Sequence, residues 1–226
     1  MKPADTVVLT RDARVLTPTL SANRVLRNTY WLLSLTLLFS AGAAAVTGAM
    51  QLPHPGIVIT LIGYFGLLFL TARLRDSGWG LISVFALTGF MGYTLGPIIS
   101  HYLAMPHGHE VVMMAMGGTA AIFLGLSTYA TASRRDFSFM GGFLMTGIIV
   151  AFLAGLGAIF FAVPALALTV SGAFVLLMAG LILYQTSEII HGGETNYIMA
   201  TVTLYVSIYN LFTSLLHLLG IGNSDE

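Results

Sequence analysis

Read for hydrophobicity alone, the chain is a succession of long apolar blocks separated by short polar breaks. The blocks run approximately over residues 30–50, 56–72, 79–103, 111–131, 139–161, 166–190 and 197–219, and Pro, Gly, His or a charge bounds each of them. A helix needs roughly 20 apolar residues to cross a bilayer, and all seven blocks come near or exceed that length. The 56–72 block is the shortest at 17 residues, about 25 Å of helix, so it should stand nearly upright with Arg73 reaching back to the headgroups. None of the blocks shows the period-2 alternation of a barrel strand, and open sheet leaves its backbone unpaired in lipid. The pattern therefore predicts an all-α membrane protein, a seven-transmembrane-helix bundle.

Composition agrees: of 226 residues 57% are hydrophobic and 8% charged, more apolar surface than a water-soluble domain of this size hides. Nine Lys and Arg balance nine Asp and Glu, and no basic cluster points to nucleic acid. The absence of Cys excludes disulfide and thiolate chemistry without identifying a compartment.

The basic residues set a direction. Lys2, Arg11, Arg14, Arg24 and Arg27 precede the first block, Arg73 and Arg75 follow the second, and Arg134 and Arg135 follow the fourth. The alternate loops, 51–55, 104–110 and 162–165, carry none, so the positive-inside rule predicts an N-terminus in the cytoplasm and a C-terminus outside. The expected organisation is a mobile cytoplasmic tail over 1–29, a membrane domain over 30–219 and a short periplasmic tail over 220–226. Trp31 to Phe39 followed by Ala43, Ala44 and Ala45 has the look of a cleavable signal. The long region before it, and the continuation through Thr47 to a full span, favour an uncleaved anchor.

Polarity inside the spans is sparse, which makes its placement informative. Glu188 lies about one turn from the end of the sixth block, with Gln185 three residues earlier on the same face. It reads either as a carboxylate snorkelling beside His191 or as part of a proton or cation site. The last block carries Thr203, Ser207, Asn210, Ser214 and His217 at spacings of 4, 3, 4 and 3, which places them within an arc of roughly 80°. Such a stripe should face the bundle interior, bonding neighbouring helices or lining a wet cavity. His191 and His217 are the candidate pH-responsive groups, because only His titrates near neutrality unperturbed. His107, His109 and Glu110 could touch a divalent ion, but a loop supplies no fixed geometry, and no metal or cofactor is expected.

Two further features have ordinary explanations. Gly92 and Gly96, Gly117 and Gly118, Gly141 and Gly142, and Gly155 and Gly157 read as close-packing positions, with a hinge at Gly96 and Pro97 as the lesser reading. Gly125, Leu126, Ser127 resembles part of a serine-hydrolase motif, but the topology places Ser127 near the inner surface and His217 near the outer one, roughly 20 Å apart. They cannot form a dyad, and no enzymatic activity is expected.

At Gly80, Leu81, Ile82 and Ser83, then Thr88, Gly89, Phe90 and Leu95, Gly96, Pro97, Ile98, the chain resembles the signature of the Bax inhibitor-1 family. The likeness continues from Leu183 through Thr186, Ile189, Ile190 and the run His191, Gly192, Gly193, Glu194, Thr195, Asn196, Tyr197 to Leu204, Tyr205, Asn210, Leu211 and Phe212, with residues 25–30 (VLRNTY) similar to a bacterial branch. This resemblance implies a bacterial inner-membrane protein with six helices around a central one. It also implies a non-enzymatic role in membrane-protein quality control: association with FtsH, a membrane-anchored, ATP- and zinc-dependent protease, whose action on membrane substrates such members restrain. The cytoplasmic tail is the part such a protease would grip. Other members are pH-sensitive calcium leak channels that use an Asp pair on the sixth and seventh helices, which would make this chain a cation (calcium or proton) leak instead. Here those positions are Gln185 and Ser207, neither of which carries a titrating negative charge. With Glu188 and Asn210 they form the candidate polar or ion site.

Overall fold

A computed structural model describes the backbone of residues 4–222 and the side chains of residues 22–221. Seven long helices follow one another: α1 (Ala4–Ala49), α2 (Ile57–Leu74), α3 (Trp79–Leu103), α4 (Gly108–Ser133), α5 (Gly141–Phe160), α6 (Pro164–His191) and α7 (Tyr197–Gly222), with a 3-10 turn at Ser138–Met140 leading into α5. Each contains a stretch long and apolar enough to cross a membrane. The expected spans are all present, and that of α3 coincides end to end. The largest difference is in α1, whose helix begins at Ala4 and runs without a break into the span, where the hydropathy pattern marks only the entry at Tyr30. Polar residues end an apolar block without ending a helix, because backbone hydrogen bonding is indifferent to the solvent outside. The side chains of Lys2, Arg11 and Arg14, and residues 223–226 of the expected outer tail, lie outside the described residues.

The most enclosed helix is α7: no residue from Tyr197 to Ile221 is exposed. It packs against α1, α3, α4 and α6, whereas α2 lies outside on α3 and α5 outside on α6. Those four helices make the main contacts of the central α7, with α2 and α5 completing the bundle around them. Phe65 of α2 and Phe152 of α5 meet edge to face, ring centroids 5.8 Å apart, across this outer layer.

The closest seam joins α1 to α3. Gly92 and Gly96, one turn apart on α3, face the backbone of α1 at Ser40 and Ala44, where any Cβ would collide. Dispersion between closely approached backbones replaces the hydrophobic drive that lipid does not supply between helices. The packing reading therefore holds at these two positions, and at Gly141, which faces the ring of Tyr184. It fails at Gly117, Gly142 and Gly157, beside which there is open space. Helix α3 continues through Pro97 to Leu103. Proline has no N–H for the carbonyl of Tyr93, and the Thr47 hydroxyl of α1 stands 3.4 Å from that oxygen.

Candidate functional site

The six described Arg residues lie at one end of the bundle: Arg24 and Arg27 where α1 approaches its span, Arg73 and Arg75 at the end of α2, and Arg134 and Arg135 at the end of α4. The α6–α7 corner ties this end together. Helix α6 stops at Gly192, whose left-handed φ of 78° favours glycine, and the Gly193 N–H donates to the carbonyl of Glu188 at 2.8 Å. Asn196 then starts α7, its Oδ1 accepting from the N–H groups of Ile198 (3.0 Å) and Met199 (3.1 Å). Its Nδ2 donates to the α2–α3 loop, at the carbonyl of Arg75 (3.2 Å) and Oδ1 of Asp76 (2.9 Å). Ser187 donates to the carbonyl of Arg135 (3.2 Å) and accepts from the N–H of Phe137 (3.0 Å), which fastens the α4–α5 loop to α6. His191 adds a further contact to that loop, Nε2 to the carbonyl of Arg134 at 3.1 Å. Within it, Asp136 Oδ1 accepts from the N–H of Ser138 at 2.8 Å, and this bond, the Ser138 side chain and the nearby His191 hold its carboxyl below the usual range.

The candidate ion-site residues stand on α6 and α7. Gln185 is buried on α6 with its Nε2 lacking a protein partner. Ser207 is fully buried but donates to the carbonyl of Thr203 at 2.7 Å, and Asn210 Nδ2 donates to that of Val206 at 2.9 Å. Both serve the preceding turn of their own helix. Glu188 is half-buried, and its carboxylate folds over Gly193 in the corner, away from the stripe. His217 makes the interhelical bond of the stripe, its Nδ1 2.7 Å from the Ser171 hydroxyl of α6. Ser127 is buried near the basic end and His217 stands toward the opposite one, so no dyad forms. His107 and Glu110 approach to 3.6 Å, both exposed, and among the described residues no group of three His, Asp or Glu side chains could hold a metal ion.

Hydropathy does not reveal two central tyrosines of α7. Tyr205 donates to the carbonyl of Thr88 (3.3 Å) and accepts from Ser40 (2.6 Å), so α7, α3 and α1 meet at one hydroxyl. Tyr209 donates to Thr94 at 2.9 Å, since the Thr94 proton is engaged by Met91. A 3.6-residue period places both rings on one face of α7, but hydropathy scores them as ordinary apolar positions. Above them lies a cavity of about 730 Å³, bounded by Ala41 and Ala45 of α1, Ile99 of α3, Met116 and Ala120 of α4 and Phe212 of α7. It occupies the half of the bundle away from the Arg residues and is walled mainly by carbon. None of Gln185, Glu188, Ser207 and Asn210 lines it.

Comparison with known proteins gives this arrangement a lineage. The family model described as inhibitor of apoptosis-promoting Bax1 matches residues 22–224. The chain is 52% identical over 209 residues to the modulator of FtsH protease YccA of Escherichia coli K12, covering 92% of this chain and 95% of that one. It is 55% identical over 202 residues to an uncharacterized protein of Pseudomonas aeruginosa, covering 89% and 91%, and 45% identical over 209 residues to a membrane protein of Vibrio cholerae, covering 92% and 94%. With seven membrane-crossing helices and a match that spans the entire membrane domain, the chain belongs to the Bax inhibitor-1 family.

Proposed function

We propose that this protein is a non-enzymatic regulator of the bacterial inner membrane that binds the FtsH protease and restrains its degradation of other membrane proteins. The observation that carries this reading is the likeness to the FtsH modulator of Escherichia coli, 52% identical over nearly all of both chains. A second strain's counterpart of equal identity is named an inner membrane protein. The charge asymmetry supports an orientation with the Arg-bearing end in the cytoplasm. Helix α1 then leads from the cytoplasm into the most tightly packed seam of the bundle, the one with α3. A protease pulling on the N-terminal region meets that seam, while the tied corner at Asn196 and Ser187 resists unravelling of the loops. A substrate that is gripped and slowly extracted occupies the protease and spares others.

The test is association and turnover. FtsH should co-purify with the tagged chain in mild detergent, and deleting residues 1–20 should stop FtsH-dependent turnover of the chain in cells. A truncated chain degraded as fast as the intact one refutes the tail as the handle, and absence of FtsH from the pull-down refutes the association. The alternative, a pH-sensitive calcium or proton leak, has weaker support, because Ser207 and Asn210 spend their donors on their own helix and Glu188 turns to the corner.

A further inference from the structure

The end of α6 holds the α4–α5 loop through a ring placed between two groups that can only accept. His191 Nδ1 lies 2.9 Å from the carbonyl oxygen of Ser187, one turn back on α6. Its Nε2 lies 3.1 Å from the carbonyl oxygen of Arg134, the residue that ends α4 with a left-handed φ of 49°. A neutral imidazole carries one N–H, so either tautomer turns a ring lone pair toward one of these oxygens, whereas the imidazolium donates to both. The Ser187 hydroxyl, 3.3 Å from Nδ1, also has the carbonyl of Arg135 at 3.2 Å to donate to, and its oxygen receives the N–H of Phe137.

We propose that His191 is a protonation-controlled clasp: as an imidazolium it bridges Ser187 and Arg134 and holds the 134–137 loop on α6, and as a neutral ring it releases Arg134. Arg134 is the side that lets go, because Ser187 belongs to the same helix as the ring. The charged groups around the clasp are Arg134, Arg135 and Asp136 from the loop, Glu188 from α6, and Glu194 from the α6–α7 corner, with Arg75 and Asp76 beyond Asn196. The 3-10 turn and the first turn of α7 add no carboxylate, amine or further imidazole. Asp136, the acid on the loop itself, turns Oδ1 to the N–H of Ser138. The clasp is closed while the ring carries both protons and opens when it loses one, so it closes toward acid and opens toward base. It lies apart from the positions of the sixth and seventh helices at Gln185 and Ser207, and it is independent of the protease reading.

The amide of Phe137 reports the clasp, because its N–H is bound to Ser187 only while the loop is seated. In the full chain in nanodiscs, hydrogen exchange at Phe137, corrected for base-catalysed intrinsic exchange, should lose about tenfold of its protection between pH 5.5 and 8, the scale of one charge-assisted bond. Imidazole 15N resonances should show His191 with both nitrogens protonated over the range in which Phe137 is protected. His191→Gln, which keeps one amide donor at every pH, should exchange with no step. A His191 ring singly protonated at pH 5.5 while Phe137 is fully protected overturns the proposal. So does protection in the native chain that does not change with pH, or a step that survives in His191→Gln. If that variant does not fold, the two native titrations decide alone.

Discussion

Substituting Gly96 by Ala tests the physical basis of the α1–α3 seam. A Cβ on Gly96 would lie 2.6 Å from the carbonyl oxygen of Ala44 and 3.0 Å from the nitrogen of Gly48, while pressing on the Thr47 hydroxyl. Carbon and oxygen settle no closer than about 3.3 Å, so the two backbones must part by roughly 0.7 Å at this point. Overpacking of this kind costs about 1–3 kcal/mol. Alanine also recovers about 0.5–1 kcal/mol of helix propensity, which partly masks the loss. A matched control removes that term: Gly117 is also mid-helix, on α4, with nothing within 4 Å of its would-be Cβ. Equilibrium unfolding in mixed micelles of mild detergent and SDS should then place Gly96→Ala about 1–3 kcal/mol below Gly117→Ala. Because α1 is the helix a protease would pull on, the same variant should be degraded faster in cells. Equal stability of the two variants would show that α1 and α3 separate freely and would remove the close seam as a source of resistance to extraction.

Two other outcomes follow from particular contacts. Tyr205→Phe leaves the buried Ser40 hydroxyl without its partner and should lower stability by about 1–3 kcal/mol in the same micelle titration, whereas adding Ser40→Ala should restore part of that loss. The Asp136 carboxyl, held low by Ser138 and His191, favours the folded loop while ionised. Its contribution is present above the ordinary carboxylate range, near 3.9, and disappears as pH falls through and below it, so exchange at the Ser138 amide should quicken there in the native chain and show no such step in Asp136→Asn.

The spans were legible because insertion depends on local composition measured against a fixed bilayer thickness, and each block carries that information in its own residues. The beginning of α1 was not, since hydropathy reports where the solvent changes and not where hydrogen bonding stops. The stripe from Thr203 to His217 was placed correctly in the interior, but its chemistry was not legible. Short polar side chains in a helix reach the carbonyl four residues back, so Ser207 and Asn210 satisfy themselves locally, and spacing cannot distinguish that from a row of free ligands. Glu188 stood on the expected face for a site with Gln185, yet its carboxylate turns toward Gly193 once α6 ends there.

By itself, then, the sequence determined seven membrane-crossing helices, the grouping of the basic residues on alternate loops, and the small residues at Gly92 and Gly96 that allow two helices to touch. Only the tertiary structure decided that α7 makes its main contacts with α1, α3, α4 and α6, that Tyr205 of α7 bonds to both α1 and α3, that a carbon-walled cavity opens opposite the Arg-bearing end, and that His191 meets a carbonyl 57 residues away. Helix formation and insertion are settled residue by residue against lipid. Which side chains meet depends on how helices rotate and cross, and that is set by the packing of all of them together.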